Sequence, residues 1–511
     1  MIDLVVNGER VSVSGTGSLL DVLREELGIR SAKDGCSPQG QCGCCTVWVD
    51  GRPRVACVTP AGRVRGRNVT TIEGLETADD WARSFHRHGG SQCGFCTPGI
   101  IMRSAALDEQ ARRSPDAVRN AMLAHLCRCT GWQPIVESVT QVDIVDDGRP
   151  PATATVDVVV AERRAWIEGG VSQTVGPQVA LGRGGFADDT VPDGALVAVR
   201  GADGDWVVGG TLAEARRLSG KVQGRRTTAP LAWPLEVPEG DWARTLRTSW
   251  VEPAYLEPDA SWCVPGGEPA SALGNGGAFG GKASTELPAV ARRLADEYGR
   301  PVRVLASRED VVRFGPKRPP VAAGVRGDGS GVLHAVRTPG LADAVAAVAP
   351  GIEVVERDAA GPPTSLALRG AGWAEAAVLL ASLGAGDEYT VRTPAGGEAT
   401  AAIDGDGTVR VHVRCGDPLD PVVLRSYCMG AAHMALGWVT SEGLSVDDDG
   451  EPHDLTIRSF GILRAVDTPP LEVTIEPSDD PPVNGSDAVF AAVATAAWAR
   501  TGFAQDWPTG G

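Results

Sequence analysis

Apolar and polar positions alternate from the first residues of this chain. Ile2-Asp3-Leu4-Val5-Val6 and Arg10-Val11-Ser12-Val13 flank Asn7-Gly8, and Asn-Gly between two alternating runs predicts a hairpin. Ser18 then precedes a stretch in which Leu20, Leu23 and Leu27 recur at helical spacing, so a helix capped by Ser18 and closed by Gly28 in a left-handed turn is expected. Strand-like runs follow at Thr46-Val47-Trp48-Val49 and Asn68-Val69-Thr70-Thr71-Ile72. From about residue 76 the pattern turns helical, with helices expected over 79–86, 99–108, 115–126 and from Ile135 onwards. The third opens on Ser114-Pro115, proline standing in the first turn where its missing N–H costs nothing.

Residues 141–180 read as a linker. Asp146-Asp147-Gly148-Arg149-Pro150-Pro151 marks a boundary, and Thr153-Ala154-Thr155-Val156-Asp157-Val158 alternates as a strand would. Beyond it strand and helix patterns mix without an internal repeat, and an Ala-rich helix is expected at 488–498. The pattern is that of an α+β multidomain protein, and 511 residues are too many for one core. Divisions are expected at 1–75, 76–140, 141–180 and 181–511.

Composition narrows the function. Hydrophobic residues make up 42% and charged residues 22%, as in soluble globular proteins, and no run approaches 18 apolar residues. The start, Met1-Ile2-Asp3-Leu4, has neither the charged nor the apolar region of a secretory signal, so a cytoplasmic location is expected. A net charge of −17 argues against a nucleic-acid or anionic-membrane surface.

The chemistry lies in cysteines. Cys36, Cys42, Cys45 and Cys57 read C-x5-C-x2-C-x11-C in a loop with Gly35, Gly40 and Gly43, close to the C-x4-C-x2-C of plant-type [2Fe-2S] proteins. Glycines suit such a loop because it needs positive φ and backbone N–H groups aimed at sulfur. Cys93 and Cys96 form a C-x2-C, and Cys127 and Cys129 a C-x-C. Eight thiolates in two sets of four suggest two clusters. Zinc is the alternative, since two short clips also suit a tetrahedral ion; disulfides would need an oxidising compartment. Cys44 stands beside the first set as a competing ligand. His86, His88 and His125 lie near the second and read as surface or capping residues, and Cys263, Cys415 and Cys428 as isolated buried thiols.

These motifs carry a resemblance. Gln41-Cys42-Gly43-Cys44-Cys45-Thr46-Val47, Thr71-Ile72-Glu73-Gly74-Leu75, Gln92-Cys93-Gly94-Phe95-Cys96-Thr97-Pro98-Gly99 and Leu126-Cys127-Arg128-Cys129-Thr130-Gly131 resemble the iron–sulfur part of the molybdenum hydroxylases, the xanthine dehydrogenase and aldehyde oxidase family. The resemblance implies a β-grasp [2Fe-2S] domain over 1–75 and a helical [2Fe-2S] domain over 76–140. It makes Cys36, Cys42, Cys45 and Cys57 the ligands of one cluster, and Cys93, Cys96, Cys127 and Cys129 those of the other. Gln92 would approach a pterin. The first gap is one residue longer than the family's, and Cys44 replaces a small residue.

Residues 181–511 resemble a shortened, degenerate molybdopterin-binding region. Gly276-Gly277-Ala278-Phe279-Gly280-Gly281-Lys282 and Leu368-Arg369-Gly370-Ala371-Gly372-Trp373 are similar to its cofactor loops, which would set Gly277, Phe279 and Gly280 against the pterin. The family's catalytic glutamate is missing: 483–489 read Val-Asn-Gly-Ser-Asp-Ala-Val, leaving Asp487 as the nearest carboxylate, otherwise a loop or helix-cap residue. No flavin motif is present. The resemblance implies an iron–sulfur subunit of an oxidoreductase, not catalytically self-sufficient. Such a subunit would pass electrons from a molybdopterin-binding partner to an FAD subunit or another acceptor, its C-terminal half serving as a docking surface. The alternative is a non-enzymatic carrier or assembly partner.

Overall fold

The computed structural model describes residues 1–143, 157–221, 229–272 and 276–510. The N-terminal hairpin forms as its pattern demands: β1 (Ile2–Val6) pairs antiparallel with β2 (Glu9–Val13), turning through Asn7 and Gly8, both at positive φ. Ser18 caps the following helix in a capping box with Asp21, and the helix continues through a π-turn, Val22–Glu26. Gly28 takes the left-handed conformation. The strands β3 (Thr46–Val49), β4 (Arg52–Val55) and β5 (Asn68–Thr70) complete a sheet of order β2-β1-β5-β3-β4, with β1 and β5 parallel. The sequence reading overlooked β4. Its Arg-Pro-Arg-Val run lacks an alternating apolar face, and β4 is an edge strand, where arginine and proline are tolerated.

Four helices follow, Ala78–Arg87, Thr97–Ala105, Pro115–Ala121 and Gln133–Thr140. The third ends early, its last turn tightening into a 3-10 turn, Met122–Ala124. A short helix, Glu109–Arg112, was not expected.

The linker expectation needs correction. Residues 144–156, including the boundary motif and most of the alternating run, lie outside the described residues. Val158–Gly169, however, is an α-helix, not a strand. Asp157 caps it through the Val159 and Val160 N–H groups, and Gly170 closes it in the left-handed conformation. The apolar start 158–160 obscured the period, whereas Arg164 and Glu168, one turn apart, are both fully buried and 3.0 Å apart.

The remainder builds three sheets. Trp206–Gly209, Leu196–Arg200, Val302–Leu305 and Ala260–Cys263 make one, with Ile352–Arg357, Gly331–Val336, Val321–Val325, Arg244–Thr248 and Asp506–Trp507 in the second. Glu388–Arg392, Glu398–Ile403, Val409–Arg414 and Leu471–Ile475 make the third. Between them runs the helix Pro421–Thr440, capped by Asp420 with Pro421 in its first turn, and every residue from 426 to 439 is buried. A helix with no polar face belongs inside the core. The Ala-rich helix Ser486–Arg500 packs along it. Trp438 stacks on Phe490 at 5.1 Å and meets Trp507 edge-on at 4.8 Å. No helix among the described residues is long and apolar enough to cross a membrane.

Candidate metal centres

All twelve cysteines are buried and none is in a disulfide. The glycine loop brings Cys36, Cys42, Cys45 and Cys57 together: the Cys36 thiol meets those of Cys42 and Cys57, and Cys57 also meets Cys45. Backbone N–H groups point at sulfur, from Gln39 to Cys36 at 3.1 Å and from Cys57 to Cys45 at 3.4 Å. Donation by the Cys42 and Cys57 thiols pulls Cys36 well below the ordinary thiol range, against burial. Cys44 lies against this set, its sulfur 3.8 Å from the Cys42 carbonyl, and burial pushes its pKa up.

Cys96 is the N-cap of the Thr97–Ala105 helix, while Cys127 and Cys129 follow the Met122–Ala124 turn. Cys129 sits 3.5 Å from Cys93, and Cys127 meets Cys96, whose thiol lowers the Cys127 pKa to about 6. The Thr130 hydroxyl stands 3.2 Å from the Cys127 sulfur. Thiolate is the form that binds metal.

His125 corrects the surface reading. It is 2% exposed and reaches from the second set to the first, its Nε2 3.2 Å from the Thr46 hydroxyl. That hydroxyl donates to the Gly43 carbonyl at 2.7 Å, so the imidazole hydrogen sits on Nε2. Burial lowers the His125 pKa to about 4. Gly43 makes room: at φ +74° a Cβ there would fall 2.5 Å from the His125 ring. His88 is the C-cap of the Ala78–Arg87 helix, with Nδ1 2.9 Å from the Ser84 carbonyl. His86 is partly buried.

The second set rests on the C-terminal half. A Cβ on Gly430 would lie 1.7 Å from the Cys129 carbonyl oxygen, and one on Gly131 2.4 Å from that of Met429. Gln92 donates through Nε2 to the Cys129 carbonyl and to the Ser426 hydroxyl, both at 2.9 Å, leaving its buried Oε1 without a partner. Arg128, between the two cysteines, donates to Glu442 at 2.7 Å and to the Pro253 carbonyl at 3.0 Å. This pair is 4% and 2% exposed. Sequence reasoning missed Glu442, which is 314 residues away.

The residues expected against a pterin face the chain's own atoms. Gly280, at φ +90°, would place a Cβ 1.7 Å from the Ala367 oxygen. Phe279 meets Tyr427 edge-on at 6.2 Å and lies under the Arg369 guanidinium at 4.2 Å. Asp487 stands in the first turn of its helix, 3.1 Å from Arg369; burial pushes its carboxyl up and Arg369 pulls it back. The cavity here, lined by Arg128, Phe279, Arg318, Arg369, Trp438 and Glu442, holds about 40 Å³. Gly277 borders another of about 10 Å³ beside Cys93 and Cys129. Neither of these two cavities reaches the ~300–1,000 Å³ of cofactor pockets; a third, of about 370 Å³, lies beside Thr285, Glu286 and Phe314. Glu168 takes the helix terminus instead, accepting from the Gly485 and Ser486 N–H groups at 3.1 and 2.9 Å.

Comparison with known proteins fits this division. Residues 71–140 match the [2Fe-2S] binding domain family. The nicotinate dehydrogenase small FeS subunit of Eubacterium barkeri is 40% identical over 139 residues, 26% of this chain and 87% of that protein. The aldehyde oxidoreductase of Megalodesulfovibrio gigas is 40% identical over 172 residues, 32% of this chain but 19% of that protein. Among solved structures, the aldehyde oxidoreductase from Desulfovibrio gigas superposes with a TM-score of 0.71 at 15% identity, covering 97% of each chain. That from Desulfovibrio desulfuricans reaches 0.68 at 16%, covering 97% of this chain and 96% of the other. At such identity the likeness is one of fold.

Proposed function

The chain belongs to the molybdenum hydroxylase family, and we propose that it works as an iron–sulfur electron-transfer component in which two thiol sets hold two [2Fe-2S] clusters. Cys36, Cys42, Cys45 and Cys57 hold the first, Cys93, Cys96, Cys127 and Cys129 the second. The observation that carries this reading is the pairing of buried thiols. In the second set Cys93 lies against Cys129 and Cys96 against Cys127, which suits a binuclear centre with two thiolates on each iron.

A [2Fe-2S] cluster takes up and releases one electron at a time. The chain's part is to hold eight thiolates, keep water from them, and aim N–H groups at sulfur, which tunes potential. Domains at 1–75 and 76–140 fit this role, with 181–511 as a cover for the second set. The pterin is then held by a partner chain, and an FAD chain or another carrier accepts the electrons. The C-terminal half, whose helix covers the second set beside Gly131 and Gln92, offers the docking surface for the partner that holds the pterin.

Iron analysis and EPR of the reduced chain test the reading. About four irons per chain, two rhombic signals and no molybdenum are expected, and Cys127→Ser should remove one signal and spare the other. Stoichiometric molybdenum in the isolated chain, or loss of both signals together, would contradict it.

A further inference from the structure

The first thiol set has one edge toward solvent, and that edge is basic. Cys57 is 7% exposed, whereas Cys36, Cys42 and Cys45 are each 1%. Val58, next to it, is 57% exposed and covers Gly40 of the cysteine loop, where a Cβ would fall 2.8 Å from the valine side chain. The stretch 52–67 around this point contains Arg52, Arg54, Arg63, Arg65 and Arg67 and no acidic residue, in a chain of net charge −17. All five arginines are exposed. Arg67 pairs with Asp50 at 3.3 Å; the other four enter no ion pair among the described residues.

Protection of a sheet edge accounts for part of this, because arginine and proline on an edge strand discourage strand addition. Arg52, Pro53 and Arg54 lie on such a strand. Arg63 and Arg65 do not: they sit in and just after the 3-10 turn Ala61–Val64, which has no edge to guard. Nor does edge protection expose a valine beside a cysteine. An apolar centre with a charged surround is the anatomy of a protein interface.

We propose that this arginine-rich stretch is the docking surface for an acidic protein that carries single electrons, which enter or leave through Cys57. The proposal rests on the assignment of a cluster to the first set. At the other end of the relay the chain's own helix covers the Cys129 side of the second set, and Cys93 is 8% exposed. Complementary charge would orient the acidic carrier over Val58 and raise its productive encounter rate.

Two haem proteins of opposite charge serve as probes, acidic ferricytochrome b5 and basic ferricytochrome c. In each case one electron leaves the reduced chain and converts ferric to ferrous haem, with no bond or proton exchanged, and haem absorbance reports the rate. The variant Arg54→Glu/Arg63→Glu/Arg65→Glu is compared with a charge-matched control, Arg217→Glu/Arg392→Glu/Arg500→Glu, which alters exposed arginines outside the stretch. The first should slow cytochrome b5 reduction about tenfold and leave cytochrome c reduction no slower; the control should change either rate less than about twofold. Equal effects of the two variants on cytochrome b5 would overturn the docking face. Iron content and EPR of all three proteins keep the questions separate. A missing first signal in the unaltered chain refutes the cluster assignment, whereas intact signals with equal rates refute the docking face alone.

Discussion

The two thiol sets are built in opposite ways. The first draws its cysteines from residues 36–57, a single glycine loop and the turn after β4, and leaves one edge near solvent. The second collects cysteines from 93–129 and is covered on its Cys129 side by groups more than 300 residues away, Gly430, Ser426 and Glu442, while Cys93 is 8% exposed. A centre made from one loop folds with its own sheet. A centre covered by a distant helix is open to disturbance from that helix, so the C-terminal half bears on the second set.

Gly430→Val should give the largest effect. A side chain there meets a backbone oxygen, which cannot move aside as a flexible side chain can, and core overpacking of this kind falls in the severe tail of substitutions, about 4 kcal/mol or more. The second EPR signal should disappear while the first persists. Loss of the first signal as well would show that the two centres do not fold independently. Next comes Glu442→Ala, which strands the Arg128 charge between Cys127 and Cys129. Breaking a buried pair from one side costs about 3–5 kcal/mol, and the uncompensated cation should raise the second centre's potential in a redox titration. Replacing both partners, as in Arg128→Met/Glu442→Leu, should recover much of the stability. An equal deficit in single and double variants would mean that packing, not charge, was lost.

Acid should weaken the C-terminal half through His433, as it does the N-terminal part through His125. His433 is fully buried, its Nε2 donates to the Leu463 carbonyl at 3.1 Å, and its Nδ1 has no partner. Burial, with Arg128 nearby, lowers its pKa from 6.5 to about 4. Below pH 6.5 the unfolded chain takes up a proton that the folded chain refuses. Stability therefore falls as pH drops through 6.5 and levels off near 4, where the folded chain protonates too. At 1.36 kcal/mol per unit, the loss across that window is about 3 kcal/mol. Thermal unfolding between pH 7 and 4.5 should show this loss in the unaltered chain and a shallower one in His433→Gln; parallel curves would remove His433 as the cause.

What could be read from the sequence follows the same contrast. The hairpin, the capped helix, the cysteine loop and the helices beside the second set were legible because each rests on neighbours within a few positions: Asn7-Gly8, Ser18 with Asp21, Pro115 after Ser114. β4 was not, because an exposed edge strand leaves no apolar alternation. The helix Val158–Gly169 was hidden because its core-facing residues include Arg164 and Glu168, a charged pair that looks solvent-exposed in sequence and is fully buried in the fold. His125 and Glu442 were misjudged or missed for a related reason. Their partners, Thr46 and Arg128, lie 79 and 314 residues away, and no local pattern announces such a contact.

The smallest effect should come from a side-chain contact between the two sets, which also meet through the Leu126 N–H and the Cys42 carbonyl at 3.0 Å. Thr46 follows Cys45 directly, and its hydroxyl both donates to the Gly43 carbonyl and accepts from His125, two residues before Cys127. Thr46→Val keeps the shape and removes both hydrogen bonds. The imidazole N–H then loses its partner, which costs about 1–3 kcal/mol, whereas the Gly43 carbonyl keeps the Thr46 backbone N–H at 3.1 Å. Both EPR signals should survive, because no thiol contact is altered. If the bond only braces the interface, the two potentials should stay where they are. If it sets the position of the cysteine loop, the first should shift and the second should not. A variant as stable as the unaltered chain, with both potentials unchanged, would show that this contact contributes nothing and would leave the Leu126–Cys42 backbone hydrogen bond as the polar link to test.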